Sequence, residues 1–247
     1  MSAVTHTQLI ERGGLIALGA LAVAAAFEAR TYRRWRPWCL SWGATDSEVG
    51  RSLPGDDMLT SAGIVSTRAV HVDAPPSAIW PWLVQMGPGR GGAYTYDWIE
   101  NLMGLGMHSA DRILPEYQKL AVGDSQRLGA QGPVLRVAEL EPERSLVFRS
   151  DDGNWVWAFS LVPDNTGTRL ISRNRIATDG ASRLAQVVNT YAMEPGSLIM
   201  ERKMLLGIKD RAERLAHAPG RPRSATDCRG QHGLMRRDRA PAARQAS

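Results

Sequence analysis

The chain is 247 residues long and 43% apolar, enough for one large domain or two small ones with a full core. Its formal charge of +5 sits wholly in residues 218–247, where seven arginines face two acids; the other 23 basic and 23 acidic residues cancel. The body is therefore not a basic surface, which excludes an electrostatic case for nucleic acid as a partner. Cys39 and Cys228 have no CxxC or Cys/His spacing, which argues against structural zinc and a disulfide framework.

Residues 13–27, GGLIALGALAVAAAF, carry no charge. As a helix they span about 22 Å, short of a bilayer core of about 30 Å. Three readings compete. A signal peptide wants positive charge ahead of the run, where Glu11 and Arg12 cancel. A membrane anchor is the second and a soluble Ala-rich helix the third. An anchor or membrane-surface helix is favoured, because Arg30, Arg33, Arg34 and Arg36 follow at once and Trp35 and Trp38 sit where interfacial aromatics belong. That bias makes the protein membrane-associated with its main domain in the cytoplasm; a soluble cytoplasmic protein is the alternative. Residues 1–36 thus form an N-terminal apolar helix with a basic flank. Residues 37–63, with turn chemistry at Pro54-Gly55-Asp56-Asp57, form an extended linker able to pack on the domain through Trp38 and Trp42.

The domain occupies residues 64–217. Residues 64–74, IVSTRAVHVDA, read as a strand with Val65, Thr67, Ala69 and His71 on one face and Ser66, Arg68, Val70 and Val72 on the other. Asp73 is placed to cap the next helix, PPSAIWPWLVQM, whose Ile79, Leu83 and Met86 share a stripe and whose Pro81 should bend it. Then comes the densest stretch, Gln85–Ile113, with four glycines between Gly87 and Gly92. The spacing predicts a Gly-rich turn, a short helix over 94–103 with Tyr94, Trp98, Leu102 and Leu105 on one stripe, and a second turn at Gly104-Leu105-Gly106. Such a segment suits the mouth of a pocket; the alternative is a surface excursion whose aromatics plug a core.

Strands follow at about Ser125–Leu128, Val134–Leu140, Ser145–Arg149 and Asn154–Val162, joined by hairpin-length turns. WVWAFSLV alternates Trp155, Trp157, Phe159 and Leu161 against Val156, Ala158, Ser160 and Val162. The last strand, TRLISRNRIA, puts Arg169, Arg173 and Arg175 on one face, an arginine ladder expected to be solvated. A final helix is expected over Ala181–His217, broken or bent near Pro195-Gly196, with Leu198, Leu205, Ile208, Ala212 and Leu215 on its stripe and Glu201 outside it. Residues 218–247 lack periodicity and read as a disordered basic tail.

Gly87, Gly89 and Gly92 match GxGxxG formally, but a helix precedes them and hairpins follow, so no dinucleotide site is expected. GxSxG, HExxH and a P-loop lysine are absent from the sequence. His108 and Asp111, with Asp97 and Glu100 nearby, make a conceivable but weak metal cluster; no metal and no cofactor are expected. His108, Tyr94 and Tyr96 are the weak candidates for proton transfer.

The order strand, helix, helix, antiparallel strands, long helix resembles the helix-grip fold. VSTRAVHVDAPPSAIWPWLVQM is similar to the opening strand and helix of the SRPBCC superfamily, which includes START, polyketide cyclase/dehydrase and lipid-transport proteins. WVWAFSLVPDNTGTRLISRNRI resembles its last two strands and PGSLIMERKMLLGIKDRAERL its C-terminal helix. GRGGAYTYDWIENLMGL followed by HSADRI resembles an uncharacterised bacterial subgroup. The resemblance covers about Ile64–Leu215 and carries no shared catalytic set. It implies an α+β fold: a curved antiparallel sheet around a long C-terminal helix, with an apolar cavity. The leading expectation is binding or transport of a hydrophobic small molecule or lipid, with Tyr94, Tyr96, Trp98, Met103 and His108 at the entrance and Trp155, Trp157 and Phe159 lining the wall. A cyclase/dehydrase-type enzyme on a polyketide-like substrate is one alternative. A membrane-tethered interaction protein with a filled cavity is another.

Overall fold

The computed structural model describes residues 30–218 apart from Ala181. The uncharged run at 13–27 and the tail beyond Ala218, with the anchor and disorder expected of them and with Cys228, lie outside the described residues. Among the described residues no helix is long and apolar enough to cross a membrane.

In chain order the elements are helix α1 (30–40), α2 (Asp46–Gly50), strand β1 (Ile64–Val72), α3 (Pro76–Val84), α4 (Asp97–Leu102), β2 (Ser125–Arg127), β3 (Val134–Glu141), β4 (Ser145–Ser150), β5 (Trp155–Pro163), β6 (Thr168–Ile176), α5 (Arg183–Val188) and α6 (Glu194–His217). The strands form one antiparallel sheet in the order β1-β6-β5-β4-β3-β2, so only β1 crosses over, to pair with β6. This is a helix-grip architecture, an antiparallel sheet closed over a long C-terminal helix. Period-two alternation decides which side chains face α6. Val70, Val72, Phe148, Phe159, Leu161 and Leu170 share a core with Leu205, Ile208 and Ala212.

Three local expectations need correction. The cap of α3 is Pro75, with no side-chain bond, and not Asp73; Pro76 at the first helical position needs no donor partner. Pro195-Gly196 does not break the last helix. A single π turn at Asn189–Met193 leads directly into α6, with Pro195 in the first turn of that helix. The third concerns the arginine ladder on β6. Arg173 is 4% exposed, bonds Thr67 Oγ1, pairs with Asp56 at 2.6 Å and donates to the carbonyls of Glu48, Val49 and Arg51. Arg169 grips Glu48, and Arg175 grips Asp56 and the carbonyl of Leu59. The ladder is covered, Arg173 buried and Arg169 and Arg175 half-buried, because residues 43–60 cross the convex face as a strap. Leu53 packs on Ala69 and Ile171, while Met58 and Leu59 pack on Val147, Val156 and Ala158.

Candidate functional site

The cavity lies between the concave sheet and the first turns of the C-terminal helix, with a volume of about 510 Å³. Trp155 and Trp157 form one wall. Alternation on β5 sends both toward the helix, where their rings stack at 5.7 Å and 16°. Their indole N–H groups are fixed: Trp155 donates to Asn174 at 2.9 Å and Trp157 to Ser172 at 3.0 Å, both on the paired strand β6. Met193, Met200 and Met204 supply the opposite wall from the helix, and Leu40 of α1 and Ile64 of β1 border the space. Methionine side chains adapt their shape readily to what they touch.

Under the aromatic wall lies a buried polar cluster. Glu201 of α6 forms an ion pair with Arg68 of β1 and accepts hydrogen bonds from Ser172 and Asn174. Arg68 has no exposed surface and also donates to the Cys39 carbonyl at 3.0 Å and to Ser197 at 3.1 Å. A buried charge persists only when paired and hydrogen-bonded, and this one is. Glu201 was expected outside the helix stripe; it faces inward because Arg68 meets it there. Arg68, sharing a strand face with Ser66, Val70 and Val72, was the sequence signal for such a pair. Glu194, also buried, is held by Arg36 at 2.7 Å and Tyr32 at 3.0 Å. Burial pushes the Tyr32 hydroxyl up, helped by its bond to Glu194. Asp152 accepts from Ser150 and Asn154, and these bonds hold its carboxyl below the usual range.

The Gly-rich segment is built differently from the expected lid helix. Gly87 and Gly92 bridge each other backbone to backbone. Gly92 has φ of +71°, and a Cβ there would land 2.7 Å from the His108 backbone. The helix is six residues, not ten, because Tyr94 adopts φ of +59° ahead of it. Tyr94 is core: its hydroxyl donates to the Trp82 carbonyl at 2.9 Å, its ring meets Trp82 edge-on, and Arg211 covers it at 4.9 Å. A Cβ at Gly207 would approach the Tyr94 carbonyl to 2.6 Å, so glycine lets α6 close on it. Burial pushes the Tyr94 hydroxyl up, away from proton transfer near neutrality.

The expected stripe of α4 points outward, with Trp98 69% and Leu102 81% exposed, while Glu100 is turned in at 4%. Met103 and His108 are exposed as well. Tyr96 is half-buried under Lys203 at 5.8 Å. Of the eight expected ligand-contacting residues, Trp155 and Trp157 line the cavity; Tyr94, Tyr96, Trp98, Met103 and His108 do not, and Phe159 packs behind Trp157 at 4.9 Å as core. The conceivable metal cluster is dispersed: Asp97 binds Ser109, Asp111 pairs with Arg211, and Glu100 faces the cavity. Among the described residues no group of three or more His, Cys, Asp or Glu could hold a metal ion.

Glu100 was missed as a site residue, and it is the exception among the buried acids. Neither its Oε2 nor the adjacent Thr95 Oγ1 completes a hydrogen bond. Burial raises its pKa; the Thr95 hydroxyl beside it opposes the shift and the charge of Asp97 adds to it.

No family model and no curated protein sequence matches the chain. Several solved structures are similar to it. A Polyketide_cyc-like protein from Corynebacterium glutamicum is 14% identical, with 64% of this chain and 97% of that one covered at a TM-score of 0.42. An AHSA1-like protein from Aeromonas hydrophila is 17% identical, covering 62% and 96% at 0.35. The Aha1 dimer from Colwellia psychrerythraea is 16% identical, covering 64% and 99% at 0.34.

Proposed function

We propose that the protein binds, and carries or presents, a hydrophobic small molecule or lipid in the cavity between α6 and the sheet. The observation that supports this is the stacked Trp155–Trp157 wall facing a methionine-lined space of about 510 Å³. Ligand pockets of about 300–1,000 Å³ with mostly apolar walls and a few placed polar groups fit such molecules. An open cavity also weighs against the filled-cavity interaction protein. The cyclase/dehydrase alternative drew on His108, Tyr94 and Tyr96, none of which borders the space. Native mass spectrometry of protein purified from its source, with titration by the neutral probe N-phenyl-1-naphthylamine, tests the reading. One equivalent of probe taken up and quenching of tryptophan emission are expected; protein that neither co-purifies with a ligand nor takes up probe would overturn it.

Residues 13–36 give this function a membrane partner. The uncharged run, the four arginines after it and the half-exposed Trp35 and Trp38 support a domain held at a cytoplasmic membrane face. The full chain should fractionate with membranes and a chain starting at Arg30 should not; full-length protein wholly in the soluble fraction counts against it.

A further inference from the structure

Four acids border the cavity, Glu100, Asp152, Glu194 and Glu201, and among the described residues no lysine, arginine or histidine does. Three of the four are satisfied by the protein: Asp152 by Ser150 and Asn154, Glu194 by Arg36 and Tyr32, Glu201 by Arg68, Ser172 and Asn174. Glu100 has no cation, and its Oε2 is bare although 4% of the residue is exposed. A carboxyl left so in an apolar site is unfavourable unless something else completes it. Its placement is not forced by amphipathicity. The helix would gain by burying Trp98 and Leu102, and it does the reverse. The same cavity is lined by two stacked indoles, and aromatic faces attract cations.

We propose that the cavity selects an apolar molecule carrying an amino group, with Glu100 as the counter-ion of its ammonium and Thr95 as an accessory acceptor. This deepens, and rests on, the reading of the cavity as a ligand site. An ammonium supplies the missing positive charge and donors that both bare oxygens can accept. A carboxylate or phosphate in the same place meets an unpaired acid and no basic side chain. The raised pKa of Glu100, caused first by burial, agrees, since a cation beside it would restore the ionised form. Residues 1–217 carry no net charge, so a preference for an amine must arise locally.

The test compares decylamine, decanol and decanoate by competition with N-phenyl-1-naphthylamine on the full chain at neutral pH, each below its aggregation threshold. The amine should bind at least about tenfold tighter than the alcohol, and decanoate weakest. In Glu100→Gln the amine should lose its advantage over the alcohol. This variant is close to isosteric and removes an uncompensated charge, so it should fold; the wild-type ranking decides the matter independently. Decanol equal to or tighter than decylamine on wild type overturns the amine assignment while leaving the cavity as a ligand site. An amine preference that survives in Glu100→Gln overturns the role of Glu100. Absence of binding by all three, and by the probe, overturns the underlying reading itself.

Discussion

Phe159 and Trp157 share one face of β5 but stand in different surroundings. Phe159 has no exposed surface, whereas Trp157 has protein on one side and the cavity on the other. Phe159→Ala should therefore cost about 3–5 kcal/mol in urea unfolding. Trp157→Ala should cost clearly less and change probe uptake; equal losses for the two would mean the cavity is filled by the protein itself. Glu201→Ala should cost about 3–5 kcal/mol by leaving Arg68 charged and unpartnered under the site. A loss below about 1 kcal/mol in the same measurement would show the pair to be solvated. The tryptophan face was legible in the sequence because strand alternation is a local property. Glu100 and Glu201 were not, because sorting by apolarity assigns every acid to solvent. Only a tertiary partner, Arg68 for Glu201, or a missing one, for Glu100, overrides that.

At the scale of elements, the strap over residues 43–60 has no apolar periodicity and so read as linker. Its local signals were present: Thr45 and Glu48 form a capping box at the start of α2, and the acids Glu48 and Asp56 match the arginines of β6. What the sequence could not supply was the pairing between segments more than a hundred residues apart. Arg173→Ala should cost about 3–5 kcal/mol and speed amide exchange across the strap, leaving β4 slow. Strap exchange unchanged in the variant would show the grip to be incidental. The strap is also sensitive to acid. Burial alone would push the Glu48 carboxyl up, but Arg169 and Thr45 together outweigh it and hold it below the usual range. A depressed carboxyl stabilises fully above its unfolded pKa of about 4.3 and loses that contribution as pH falls through the lower folded value. Protection of the strap amides, relative to their intrinsic exchange, should therefore fall below about pH 4, ahead of β4. The strand boundaries, by contrast, were read closely, since turn residues such as those at 151–154 and 163–167 punctuate them.

For the whole molecule, α1 is part of the domain and not a detachable flank. It supplies the Arg36 and Tyr32 partners of Glu194, the carbonyl that accepts from Arg68, and Leu40 on the cavity border. A chain starting at Trp42 should lose roughly 10 °C of thermal midpoint, whereas one starting at Arg30 should match the full chain. Equal midpoints for all three would detach α1 from the fold. The stacked indoles carry a consequence of another kind. Two chromophores 5.7 Å apart and nearly parallel share their electronic excitation, and both are pinned by hydrogen bonds to a single strand. Their combined near-ultraviolet circular dichroism therefore belongs to the pair and not to either ring. Anything that enters and tilts one ring against the other will alter that band, so the protein carries an optical gauge of its own occupancy, readable without a label.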